Sequence, residues 1–161
     1  MKNNLTWSKS LFSSLYQIYS NGKQHGNLAD KPFSRTTKGM FNGKEYLFRN
    51  TGFFNQKTEI VDCSDNNVIG EIDYNSWRSK ATVSINERTY LWKYDNFWNT
   101  RWSLSDPDGV SVRFNSSTTR GQIDAETEDG LLLLSGLFVK NYYLQKAFVV
   151  IFVAVIIPVI G

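Results

Sequence analysis

The last fifteen residues, Ala147 to Gly161 (AFVVIFVAVIIPVIG), contain no charged or hydrogen-bonding side chain. As a helix this stretch is about 22 Å long, short of the ~30 Å hydrocarbon core that usually takes ~20 residues to cross. A helix that is apolar all round must be surrounded on every side, by lipid or by protein. That choice decides the fold. Nine of the fifteen residues are Val or Ile, which weakens intrinsic helix preference, so an apolar surrounding has to compensate. A strand is the poorer reading, because the run is long for one and lacks alternation. Lys140 and Lys146 before the run, with Tyr142 and Tyr143, suit a membrane interface. Against a span stand the short length, the interruption at Pro158 and the lack of a following polar residue. The short span favours protein.

Working outward from the terminus, Leu131 to Val139 (LLLLSGLFV) is apolar on both faces of an extended chain, as expected of a strand buried on both sides. Upstream, Tyr46 and Phe48, Val83 and Ile85, then Tyr90, Trp92 and Tyr94 each fall at every second position. Ser64-Asp-Asn-Asn67 and Asp106-Pro-Asp-Gly109 read as turns. Short alternating runs with turn chemistry at intervals of roughly 8–12 residues describe an antiparallel meander, closed or nearly so. Leu5 to Tyr19 places Leu11, Leu15 and Ile18 at helical spacing, which predicts a short N-terminal helix running into a strand. That stripe is the candidate to cover the outside of the 131–139 strand.

The chain is long enough for such a barrel. A helix is ~10 Å across, so a closed sheet needs about eleven or more strands to surround one. Twelve strands of ~6 residues with short turns use about 120 residues. The expected fold is therefore mainly β: a closed antiparallel barrel of about twelve strands around a hydrophobic C-terminal central helix. One domain is expected over 1–161, with an N-terminal helix/strand at 1–20, regular strands at 44–139 and the buried helix at 140–161.

The series Tyr46-Leu-Phe-Arg49, Phe53, Thr58-Glu-Ile-Val-Asp62, Val68-Ile-Gly-Glu-Ile72, Tyr90-Leu-Trp92 and Trp102-Ser-Leu-Ser-Asp-Pro-Asp-Gly109 precedes an apolar strand and a wholly apolar C-terminal helix. Over residues 40–161 this order of elements resembles the tubby C-terminal-like superfamily, which includes the tubby domain, the plant LURP-one-related proteins and the phospholipid scramblases. The resemblance implies a barrel threaded by its hydrophobic C-terminal helix. The Cys-rich and calcium-associated segments of scramblases have no counterpart in this chain, and tubby's phosphoinositide-binding residues do not map onto it.

The charge is uneven. Residues 1–50 hold eight Lys/Arg against two acids, Asp30 and Glu45, while the remainder holds ten against thirteen. A basic front end suits an anionic partner, although dispersed charges are also what a solvated face carries. Lys23, Lys31, Arg35 and Lys38 form the candidate anionic-lipid patch. The single cysteine, Cys63, excludes an intrachain disulfide and suits a reducing compartment. Residues 1–20 lack the continuous apolar core of a signal peptide. A cytoplasmic protein, peripheral to the membrane, is the expectation.

No residue pattern announces a reaction. His25 is the only histidine. There is no phosphate-cradling glycine loop, nucleophile elbow or His-Glu-x-x-His. Asp106, Asp108 and the Glu126/Glu128/Asp129 cluster sit where hairpin turns want Asp for backbone reasons. No catalytic residue, metal site or cofactor is expected. The aromatics of Thr89–Trp102 read as core rather than a nucleic-acid platform, since no matching basic groove accompanies them. The expected function is a monomeric, non-enzymatic barrel module that binds an anionic phospholipid surface or a protein partner. Two alternatives are a tail-anchored single-pass membrane protein and a barrel for a small hydrophobic ligand.

Overall fold

The computed structural model describes residues 2–11, 15–31, 34–52, 56–75, 77, 79–109 and 111–160, with side chains beyond Ile151 described only at Ala154 and Val155. Twelve strands come first: β1 (Asn3–Lys9), β2 (Leu15–Ser20), β3 (Lys23–Asp30), β4 (Thr36–Phe41), β5 (Lys44–Thr51), β6 (Lys57–Asp62), β7 (Asn67–Tyr74), β8 (Lys80–Ile85), β9 (Arg88–Tyr94), β10 (Arg101–Ser105), β11 (Ser111–Asn115) and β12 (Arg120–Ala125). A single helix, α1 (Gly130–Ile160), follows. Each strand pairs antiparallel with its neighbour in the chain, and β1 pairs with β12 from Asn3↔Ala125 to Ser8↔Arg120, closing the barrel. Closure leaves the sheet no free edge.

The period-two pattern is met on most strands. Tyr46 and Phe48, Val83 and Ile85, and Tyr90 and Trp92 are buried, while Leu91 between the last two is exposed. One irregularity lies between β6 and β7, where the register slips at Ile60/Val61 and both residues are buried in succession. The bulge also shifts β7, leaving Val68 exposed while Ile72 is fully buried.

Three readings from sequence are corrected. Among the described residues there is no N-terminal helix: the segment is β1 and β2. Leu5 and Trp7, then Tyr16 and Ile18, are buried at spacing two. The supposed stripe is divided, with Ile18 inside and Leu11 and Leu15 exposed, so it covers no other element. Second, the regular strands occupy Asn3 to Ala125, and Leu131–Val139 is the first part of α1. A run apolar on both faces satisfies a buried helix as well as a buried strand. Third, burial does not coincide with 140–161. Leu131 to Tyr143 are buried throughout, whereas Leu144, Phe148 (76% exposed), Val149, Val150, Ile151 and Val155 are exposed.

The buried half of α1 meets side chains from β4, β5, β9, β10 and β11. The Trp92 and Trp102 indoles, from β9 and β10, both donate to the Gly136 carbonyl at 3.1 Å. Phe48 of β5 stacks on Phe138 with ring centroids 4.6 Å apart. Gly39 of β4 faces Leu134, and Gly136 lies against Phe114 of β11. The helix starts at Asp129, whose carboxylate accepts the Leu131 amide at 3.0 Å as an N-cap.

Candidate functional site

An antiparallel meander puts alternate connections at opposite ends of the barrel. Three connections at one end are two-residue hairpins: Asn21-Gly22, Asn42-Gly43 and Asn86-Glu87, all at positive φ. The remaining connections at that end are 63–66, 106–110 and 126–129. This end is acidic: its connections contain seven Asp or Glu, with Asp106, Asp108, Glu126, Glu128 and Asp129 the densest group, and no Lys or Arg. Gly130, where α1 begins, lies there against Phe41.

The opposite end carries the connections 10–14, 31–35, 52–56, 75–79, 95–100 and 116–119. Here α1 passes from buried to exposed, and a polar collar holds it. Asp30, buried at the end of β3, accepts from Thr37 Oγ1 at 2.7 Å, from Gln145 Nε2 at 2.8 Å and from Asn141 Nδ2. The Tyr16 hydroxyl donates to Asn141 Oδ1 at 2.9 Å. Burial raises the Asp30 carboxyl above the usual carboxylate range, against these hydrogen bonds and the Lys9 charge. Tyr143 donates to the Lys80 carbonyl, and Tyr142 stacks on Tyr74 with centroids 3.7 Å apart. Lys140 is buried, donates to the Asn99 carbonyl at 2.6 Å and lies over the rings of Tyr94 and Trp102. Burial lowers its ammonium to about 8.

Outside this collar the side chains change character. Trp77, between β7 and β8, is 88% exposed; Phe97 and Trp98, between β9 and β10, are 89% and 79% exposed. Leu11, between β1 and β2, is also exposed. Phe97 and Trp98 pack edge to face with each other, 5.3 Å apart. Single exposed hydrophobes are ordinary; here four stand in three connections at the end where α1 emerges. The sequences of the same connections also contain Phe12, Phe33, Phe53 and Phe54, which lie outside the described residues. Exposed Lys31, Arg35, Lys80, Arg101 and Arg120 stand in these connections or at the strand ends beside them. The acids in the same positions are Asp30, which is buried, and the exposed Asp95, which accepts from the Ser103 hydroxyl at 3.0 Å.

The four lysine and arginine positions expected to form a lipid patch are distributed. Lys31 and Arg35 share the β3–β4 connection at the helix-exit end. Lys23 starts β3 at the acidic end, and Lys38 sits on β4 paired with Glu45 at 3.0 Å. The loop aromatics were not legible as a group. Loops have no hydrophobic period, and the Phe97-Trp98 pair merges into the neighbouring core alternation of Tyr90, Trp92 and Tyr94. Their signal is position: each aromatic stands among turn residues, as in Asn96-Phe-Trp-Asn99.

The other candidates have local partners. His25 Nδ1 lies 3.0 Å from Asn42 Oδ1. Cys63 is half-buried, and burial raises its thiol. A groove of 640 Å³ on the acidic side is lined by Thr82, Tyr90, Pro107 and Arg88, the last paired with Asp106 at 2.6 Å. Among the described residues no group of three or more His, Cys, Asp and Glu is placed to hold a metal ion. Among them, too, no helix is long and apolar enough to cross a membrane. Comparison with protein-family models, with curated proteins and with solved structures finds no match.

Proposed function

We propose that this chain is a non-enzymatic β-barrel module that works at a membrane surface, as the tubby-like and scramblase-like resemblance implies. In this reading the first half of α1 threads the barrel as its core and the second half enters the bilayer from one side. The observation that carries it is the change along one continuous helix. Side chains up to Tyr143 are covered by the barrel, and Phe148, Val149, Val150, Ile151 and Val155 beyond it are not. Transferring those five from water into hydrocarbon is worth about 5–10 kcal/mol, taking ~1.5–3 kcal/mol for each fully buried side chain and discounting for partial exposure. Leu144–Ile160 rises about 25 Å, short of the ~30 Å core, which suits insertion from one face better than a full crossing. The burial of Leu131–Tyr143 among strand side chains weighs against a ligand-carrying lumen.

The test is vesicle flotation of the full chain and of a chain ending at Lys146, which keeps the Asn141 and Gln145 contacts to Asp30. The full chain is expected to float with the vesicles. The shortened chain is expected to keep its β circular dichroism and its cooperative melt while remaining at the bottom of the gradient. Equal flotation of the two, or a full chain that stays off vesicles, would overturn the reading.

A further inference from the structure

We propose that the helix-exit end of the barrel is itself a lipid contact. Leu11, Trp77, Phe97 and Trp98 enter the headgroup–acyl boundary around α1, and the basic side chains beside them hold anionic headgroups. The proposal rests on the membrane reading given above and adds to it an orientation, a set of loops and a lipid charge.

Two independent observations meet at this end. The first is chemical. Two exposed tryptophans and a phenylalanine occupy two neighbouring connections at the end where an apolar helix leaves its cover. Trp and Phe at loop tips lose apolar hydration when they enter an interface, and the indole N–H keeps a polar partner there, as aromatic belts do. The second is electrostatic. The charged side chains of this end are mainly Lys and Arg, whereas the far end holds seven acids in its connections against Lys23, Lys44 and Arg88 at the strand starts beside them. A barrel charged in this way is drawn to an anionic leaflet by one end and repelled by the other. A lipid surface satisfies both observations together. A basic patch alone suits any polyanion, and single-stranded nucleic acid can stack its bases on exposed aromatics, but it gives no cover to Leu11 or to the apolar second half of α1 that emerges at the same end.

The sequence of connections explains why this end differs. Three of the six connections at the far end are two-residue hairpins, too short to present a side chain away from the strands. The exit-end connections are four to six residues long, enough to project a tip beyond the strand ends. Those connections border the helix exit, since the Tyr143 hydroxyl lies 3.4 Å from Asn75 Oδ1 and Lys140 contacts Asn99 in the very connections that carry Trp77 and Phe97-Trp98.

Tryptophan fluorescence tests this directly. Trp7, Trp92 and Trp102 are buried, so changes on vesicle binding report Trp77 and Trp98. Vesicles of phosphatidylcholine with and without phosphatidylserine, some brominated near the carbonyl region of the acyl chains, serve as the probe. The full chain is expected to shift its emission to the blue and to be quenched by the brominated lipid. Trp77→Phe with Trp98→Phe should remove most of that change while leaving flotation intact. Lys80→Glu with Arg101→Glu should weaken binding to the serine-containing vesicles by about tenfold or more, from the contribution of each basic side chain near an anionic surface. Binding to neutral vesicles should change little. Flotation of the full chain without any quenching, or with equal affinity for neutral and anionic vesicles, overturns this proposal while leaving helix insertion standing. A full chain that does not float overturns both.

Discussion

Gly136 is a tight point in the packing of α1 against the sheet. A β-carbon added there would lie 2.2 Å from Phe114 Cζ, and the Phe114 ring is fixed by stacking on Trp102 at 5.3 Å. The same residue's carbonyl takes both tryptophan N–H groups, so the helix cannot slide away without breaking them. Gly136→Ala gains about 1 kcal/mol of helix preference but meets an overpacking cost of about 1–3 kcal/mol or more. The expected result is a net loss, read as a lower urea midpoint, with partial recovery when Phe114→Leu opens the space. Lys140 gives a second test. Its folded-state ammonium titrates near 8 because it is buried, whereas the unfolded lysine titrates at 10.5. Between those values the unfolded chain binds more protons, so stability rises with pH. The rise should be visible from pH 8 until tyrosines begin to ionise in the unfolded chain near pH 10. The buried tyrosines, Tyr94 among them at about 12, resist that ionisation in the fold, so stability falls again above it. Lys140→Met should flatten the rising limb in thermal melts taken across this range.

Among the elements, the hairpins are the simplest to alter. Asn86-Glu87 joins β8 to β9 with both residues at positive φ, 46° and 67°. The two sister turns place Gly at the second position. A side chain other than Gly, Asn or Asp in the left-handed region costs about 1–2 kcal/mol, so Glu87→Gly should raise the melting temperature by a few degrees. Entropy lost by the unfolded glycine trims that gain. Most strand elements were legible because burial on one face writes itself into every second residue, as in Tyr90 and Trp92 with Leu91 outside. Two were not. Leu131–Val139 has no polar face to set a period, so it reads equally as a strand or a helix, and only the completed closure of β1 on β12 leaves it the interior. Leu11, Leu15 and Ile18 match a helical spacing by coincidence, while the pairing of β1 with both β2 and β12 takes that backbone into the sheet. The helix itself was legible as apolar, and Lys140-Asn141 and Gln145-Lys146 mark where its surroundings change, but they read equally as the flank of a membrane span. Tyr142 and Tyr143, buried against Tyr74, look the same in sequence as tyrosines at an interface.

At the scale of the molecule, the barrel has two unlike ends, one tight and acidic, the other longer-looped, aromatic and basic. The proposed membrane seat uses that polarity as a whole, which is why no single motif announced it. The seam between β1 and β12 also governs how the protein is made. Its partners run from Asn3 paired with Ala125 to Ser8 paired with Arg120, so the first strand emerging from a ribosome waits for the twelfth. Contacts so distant along the chain make for slow folding, and the greasy helix is translated only after all twelve strands. Until it arrives the strand side chains that pack against it, Phe48, Trp92 and Trp102 among them, stay bare, the stage at which a chaperone or a nearby bilayer decides between maturation and aggregation.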